Sequence, residues 1–130
     1  MLIINKELLD SVTNEAKENE RLRKNFNIHK NLDDNVQRLL NALEPNTVIP
    51  IHRHKNTDET YVLLRGALIV SLLDDNKNII QSVELSLAKG NLGINIPAGQ
   101  WHSVEVLESG TVILEVKEGP YQPIGKDDVL

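Results

Sequence analysis

Apolar residues recur first at helical spacing and then, for most of the chain, at alternate positions. Leu8, Leu9, Val12 and Ala16 fall on one helix face, with Asn5 placed as the N-cap and Glu18-Asn19-Glu20 as the end. Arg21 to Lys30 has no clean period and reads as an ordered loop or an extended arm anchored by Phe26. Val36, Leu39, Leu40 and Leu43 suit one face of a helix, so residues 36–43 are locally ambiguous. The β-rich remainder of the chain favours a strand there. Glu44-Pro45-Asn46-Thr47 is turn chemistry, which predicts a hairpin between that strand and a second one over Val48–His54.

Short strand signals then follow in regular succession. Thr60–Leu64 and Ala67–Leu73 are β-rich and are broken at Gly66, and Asp74 to Asn78 forms a turn. Val83, Leu85 and Leu87 alternate with polar residues, Lys89-Gly90-Asn91 breaks the chain, and Ile94 and Ile96 alternate again before Pro97. His102, Val104 and Val106 share a face, as do Val112, Leu114 and Val116 after the turn at Glu108-Ser109-Gly110. Gly119-Pro120 ends the sheet, and Tyr121 to Leu130 is a stiff, then polar, tail. Many short strands at this spacing indicate an all-β sandwich or barrel. The chain divides into a helix and arm over 1–35, a barrel over 36–120 and a tail over 121–130, within one structural domain.

The strand parity also places chemistry. Val48, Pro50, His52 and His54 would point one way on the first histidine strand, and His102 points with Val104 and Val106. Each histidine then ends an inward-facing row at a barrel mouth. Glu59 shares its face with Tyr61 and Leu63. Three imidazoles and one carboxylate, His52, His54, His102 and Glu59, are a ligand set for one divalent transition metal. The candidates are Zn, Fe, Mn, Ni and Co, and the sequence does not choose between them. Four nitrogen and oxygen ligands leave positions open on an octahedral ion but can fill a tetrahedral one.

Composition narrows the partners. The chain has 130 residues, 40% hydrophobic and only 3% aromatic, so its core must rest on Leu, Ile and Val. A net charge of −5 speaks against a nucleic-acid binder. The absence of cysteine excludes disulfides and thiolate zinc sites. No apolar run approaches the roughly 18 residues of a membrane span, and the first ten residues lack a secretory pattern. The expectation is a cytoplasmic protein that engages neither membrane nor nucleic acid.

His52-x-His54-x4-Glu59-x6-Gly66 resembles the first motif of the cupin superfamily, and Pro97-x-Gly99-x2-His102 resembles the core of the second. Gly90 and Gly93 bracket the position of the glycine expected before the proline, and Val106 stands where an asparagine is expected. A closer resemblance is to the WbuC family of small cupin-fold metalloproteins. It rests on Asn25-Phe26-Asn27-Ile28-His29, Gln37-Arg38-Leu39-Leu40-Asn41-Ala42-Leu43, Pro50-x-His52-Arg53-His54 and Glu115-Val116-Lys117-x-Gly119-Pro120-Tyr121. The resemblance implies a double-stranded antiparallel β-barrel of jelly-roll type with a short N-terminal helix. It also implies the four-ligand metal site, a homodimer, and a link to surface-polysaccharide (O-antigen) metabolism.

The expected ligand is a small molecule, sugar or sugar nucleotide among the candidates. Three readings stand side by side: a carbohydrate isomerase, epimerase or lyase; an Fe-dependent dioxygenase; and a non-catalytic binding module. Tyr61 and His29 are the candidate proton-transfer groups, although a core tyrosine and a surface histidine are the plainer readings. Arg23, Asn27, Arg38, Lys117 and Tyr121 are candidate substrate contacts, with ordinary solvated charge the plainer reading for the cations. Arg53, on the opposite face from its neighbours His52 and His54, is read as structural or as part of an oligomer interface, and Trp101 as packing.

Overall fold

Asn5 starts the first element as expected. In the computed structural model, which describes residues 1–130, its side chain accepts a hydrogen bond from the Leu8 amide at 3.0 Å. Helix α1 spans Lys6–Glu18 and ends at Asn19. Its buried face is Leu9, Val12, Thr13 and Ala16. Eight strands follow: β1 (Arg23–Asn27), β2 (Val36–Leu43), β3 (Glu59–Arg65), β4 (Ala67–Leu73), β5 (Ile79–Ser86), β6 (Gly93–Ile96), β7 (Trp101–Val106) and β8 (Thr111–Glu118). A single 3₁₀ turn, Lys126–Asp128, lies in the tail.

The strands form two antiparallel sheets, one ordered β1-β2-β8-β3-β6 and the other β5-β4-β7. Residues 36–43 are a strand, as the β context required. They sit between β1 and β8, with Leu40 opposite both Phe26 and Leu114. The helix-like apolar spacing arises because β2 is buried on both faces. Leu40 and Ala42 meet α1, whereas Leu43 turns into the space between the sheets. Two cores result. Leu43, Tyr61, Leu63, Ile96 and Ile113 from the larger sheet meet Leu68, Val70, Leu85 and Val106 from the smaller one. On the outer side, Leu9, Val12 and Ala16 seal Leu40, Ala42 and Val112. The face that Val112 and Leu114 share is thus the helix-covered one, and the opposite face of β8 looks into the barrel.

Two sequence expectations fail. Val48–His54 is not a regular strand and makes no hairpin with β2, whose partners are β1 and β8. Its only strand-type pairings are single bridges, from His52 to His102 and to Val129. Its parity is therefore not that of a strand: Val48 is 77% exposed, while Ile49 packs on the core between the sheets. The arm after α1 is also more regular than its composition suggests. It forms β1 because the edge of β2 offers it a full antiparallel register from Arg23–Leu43 to Asn27–Leu39.

Gly66 separates β3 from β4 at φ +88°. A Cβ there would lie 2.6 Å from Thr111 Cα, so glycine is required both by the turn and by the close approach of β8. No helix is long and apolar enough to cross a membrane.

Candidate metal centre

His102 lies on β7 and is fully buried, and its backbone pairs with His52 in both directions, at 3.0 and 2.9 Å. This pairing carries the first histidine segment onto the end of the smaller sheet without a continuous strand. The rings of His52 and His102 are 4.3 Å apart between centroids, and those of His52 and His54 are 5.2 Å apart. One donor nitrogen from each of His52, His54 and His102 falls within 4.8 Å of the others. Glu59, at the start of β3, brings Oε2 to 2.7 Å from His54 Nε2.

Hydrogen bonds fix the tautomers. His52 Nδ1 lies 2.8 Å from the Pro50 carbonyl, and His102 Nδ1 lies 3.0 Å from the Gln100 carbonyl. A carbonyl only accepts, so each Nδ1 carries the proton and each Nε2 presents a lone pair. This is the arrangement by which an outer partner orients a ligating histidine. His102 Nε2 and Glu59 Oε2 are buried with no hydrogen-bond partner, Oε2 being close to His54 but misaligned with it. Orphaned buried polar atoms are costly. One of them lies among the histidine donor nitrogens and the other beside His54, an arrangement that fits a bound cation.

The electrostatics agree with that donor set. Burial and the neighbouring His102 bring His52 down to about 4, and burial likewise lowers His102. Both rings are therefore neutral at pH 7. Burial alone would raise Glu59, but the adjoining His54 and the Tyr61 hydroxyl outweigh it and keep the carboxyl ionised. Burial, then the Glu59 and Glu115 charges, push Tyr61 well above its ordinary value, so its hydroxyl keeps its proton.

His52, His54 and Glu59 open onto a cavity of about 370 Å³ inside the barrel, a size suited to a small ligand. Tyr61, Lys117 and Arg23 line it. Arg23 also ties down the preceding loop, donating to the Val48 carbonyl at 2.6 Å. Asn27, His29 and Tyr121 line a second cavity of about 330 Å³, which shares Asn25, Glu115 and Lys117 with the first. His29 is not the surface histidine of the plainer reading, being only 5% exposed, and it does not reach the metal-side cavity. Arg38 is exposed and lines neither cavity, because its neighbours Gln37 and Leu39 are the β2 residues that turn inward. Arg53 and Trp101 are structural. Arg53 binds Asp128 at 2.7 Å and stacks over Trp101 at 4.6 Å.

The sequence reading missed several wall residues. Glu115 faces the cavity from β8, and its carboxylate accepts from Asn41 Nδ2 at 3.1 Å. Burial and the Glu59 charge push Glu115 up to about 8. Its alternation with Ile113 and Lys117 was the available signal, because those three share the face opposite Val112 and Leu114. Ile124 and Val129 also line the cavity. They belong to the tail, which folds back so that Leu130 N donates to the Ile51 carbonyl.

Two facing antiparallel sheets with histidines gathered at one end define a cupin-fold protein. The fold resembles KdgF from a Halomonas species at 16% identity and a TM-score of 0.60, covering 77% of this chain and 80% of that one. The cupin domain of Schizosaccharomyces pombe Cnp3 matches at 10% identity and TM-score 0.59, over 74% and 64% of the two chains. Bacillus subtilis oxalate decarboxylase, which has Mn(II) centres, matches at 17% identity and TM-score 0.58. That match covers 83% of this chain but only 27% of the decarboxylase. Residues 4–85 match the family described as "Domain of unknown function (DUF6016)", and the chain belongs to that family. No curated protein matches the chain in sequence.

Proposed function

We propose that this cupin binds one divalent transition metal through His52, His54, His102 and Glu59, and that it binds or transforms a small oxygen-rich molecule in the cavity beside it. One observation carries the reading. His52 and His102 are held as Nδ1–H tautomers, their donor nitrogens are grouped with that of His54 within 4.8 Å, and His54 has an unpartnered Glu59 oxygen 2.7 Å away. Nitrogen and oxygen donors of this kind suit Mn, Fe, Co, Ni or Zn. Such an ion supplies Lewis acidity, polarising a carbonyl or hydroxyl or acidifying a water.

The protein's own groups would do the rest. Tyr61, protonated and beside Glu59, is placed to donate a hydrogen bond or a proton to a ligand oxygen. Glu115, a carboxyl raised by burial, is a second proton-holding group on the same wall. Lys117 and Arg23 favour a ligand with negative charge. The likeness to the WbuC family supports a carbohydrate-related ligand of surface-polysaccharide metabolism, and a homodimer. Mn(II) in a cupin-fold neighbour supports the choice of a divalent ion.

The test is metal analysis of the purified protein, followed by thermal-shift and turnover assays of the loaded form with sugars, nucleotide sugars and small organic acids. Stoichiometric metal and a stabilising oxygen-rich ligand are expected. Protein that takes up none of the five metals refutes the reading. Stabilisation without turnover would assign a binding module, and oxygen uptake with Fe²⁺ would assign a dioxygenase.

A further inference from the structure

His29 is buried, yet its two ring nitrogens have unequal surroundings. The Arg38 carbonyl lies 2.9 Å from His29 Nδ1, but it already accepts from the amides of Ile28 at 2.8 Å and His29 at 3.2 Å, whereas the Arg38 amide has no acceptor other than Nδ1. The Arg38 amide points at His29 Nδ1 from 3.0 Å. Nδ1 is therefore the acceptor that this amide needs, which places the ring proton on Nε2. Nε2 has no partner. A buried N–H without an acceptor is destabilising, and this one belongs to a ring lining the 330 Å³ cavity.

The rest of that cavity matches an acceptor ligand. Asn25 and Asn27 add side-chain amides, and Lys117 supplies a positive charge that no ion pair consumes. Gln37 also lines it, but its amide is already committed to the carbonyls of Leu32 and Asp34. One acid, Glu115, stands on the wall shared with the metal-side cavity. A single lysine, no arginine and neutral donors suit a monoanion. A phosphate dianion calls for more cationic groups, and commonly for the bidentate geometry of arginine.

We propose that the cavity at His29 and Lys117 is a subsite for the terminal carboxylate of a ligand whose other end lies in the metal-side cavity. The two cavities adjoin through Asn25, Glu115 and Lys117, so one extended molecule can occupy both. His29 then acts in recognition and not in proton transfer. The inference rests on the proposed metal-binding reading for the far end of the ligand, but the recognition of a carboxylate stands on His29 and Lys117 themselves.

Gluconate and sorbitol share a six-carbon hydroxylated chain and differ in one terminal carboxylate, which makes them a matched pair of probes. Each is titrated into the full-length protein, with affinity read by calorimetry, the His29 ring nitrogens followed by ¹⁵N NMR, and metal content measured on the same samples. The expected result is a gluconate affinity at least tenfold above that of sorbitol and a shift of the His29 Nε2 resonance. A loss of at least tenfold in Lys117→Met is also expected. His29→Gln is expected to lose gluconate affinity as well, and the Lys117 variant carries the test should the buried replacement fail to fold. Equal affinity for the two probes overturns the proposal. So does a His29 resonance that does not move, or gluconate binding unchanged in Lys117→Met. Protein that takes up none of the five metals yet whose His29 responds to gluconate would refute the metal reading alone. Metal-loaded protein with an unresponsive His29 would refute the subsite alone.

Discussion

His52 and His102, fifty residues apart in sequence, exchange backbone hydrogen bonds in both directions at 3.0 and 2.9 Å. The two histidine segments are thus joined by main chain. Replacing one imidazole should remove binding without removing the fold. His52→Ala, His54→Ala and His102→Ala are each expected to weaken metal binding by more than about 100-fold, beyond the 10–100-fold typical of losing an outer partner. Circular dichroism should keep its β signature. Competition with a chromogenic chelator measures the affinity.

Acid should release the metal and weaken the fold over one pH range. His52 stands at about 4 in the folded chain against an ordinary 6.5, and His102 is also lowered. The unfolded chain therefore binds more protons between these values. The stability from burying neutral rings is fully present above about 6.5 and is lost as pH falls toward 4. For His52 this is about 3 kcal/mol. Metal content and melting temperature are expected to fall together across that window, and His52→Gln should flatten the melting curve of the metal-free protein.

Glu115 has the opposite sign. Its folded-state value of about 8 lies above the ordinary 4.5, so its protonated form is favoured by folding. That contribution is complete below about 4.5 and disappears as pH rises through 8. In metal-free protein, Glu115→Gln is expected to gain a few degrees of melting temperature over wild type at pH 9 and little at pH 5. Paired thermal melts at the two pH values check it.

Gly66→Ala should be among the most damaging single changes. It forces a side chain into φ +88° and drives its Cβ toward Thr111 on β8. A cost of about 3 kcal/mol or more is expected, at the upper end for point substitutions. Denaturant unfolding gives the number, and a loss below about 1 kcal/mol would show that β8 gives way easily.

Much of this architecture is legible in the residues because strand parity and turn chemistry are local. The breaks at Gly66 and Asp74, the helix cap at Asn5 and the inward row His102-Val104-Val106 all follow from neighbours in sequence. Failures occur where tertiary contacts decide. Val48–His54 has strand composition but no strand partner of its own, and its path is set by single bridges to His102 and Val129 together with contacts from Arg23 and the tail. Glu115 was hidden because β8 is buried on both faces, so its apolar alternation marks the helix-covered side. The burial of His29 depends on β1 pairing with β2, a long-range event that a ten-residue window does not reveal.

Crystals of the metal-loaded protein, measured on both sides of the absorption edge of the bound ion, test the central claim most directly. The account predicts one anomalous peak within coordination distance, about 2.0–2.3 Å, of Nε2 of His52, His54 and His102 and of a carboxylate oxygen of Glu59. An anomalous map with no peak among these four side chains in protein shown to contain stoichiometric metal would contradict it.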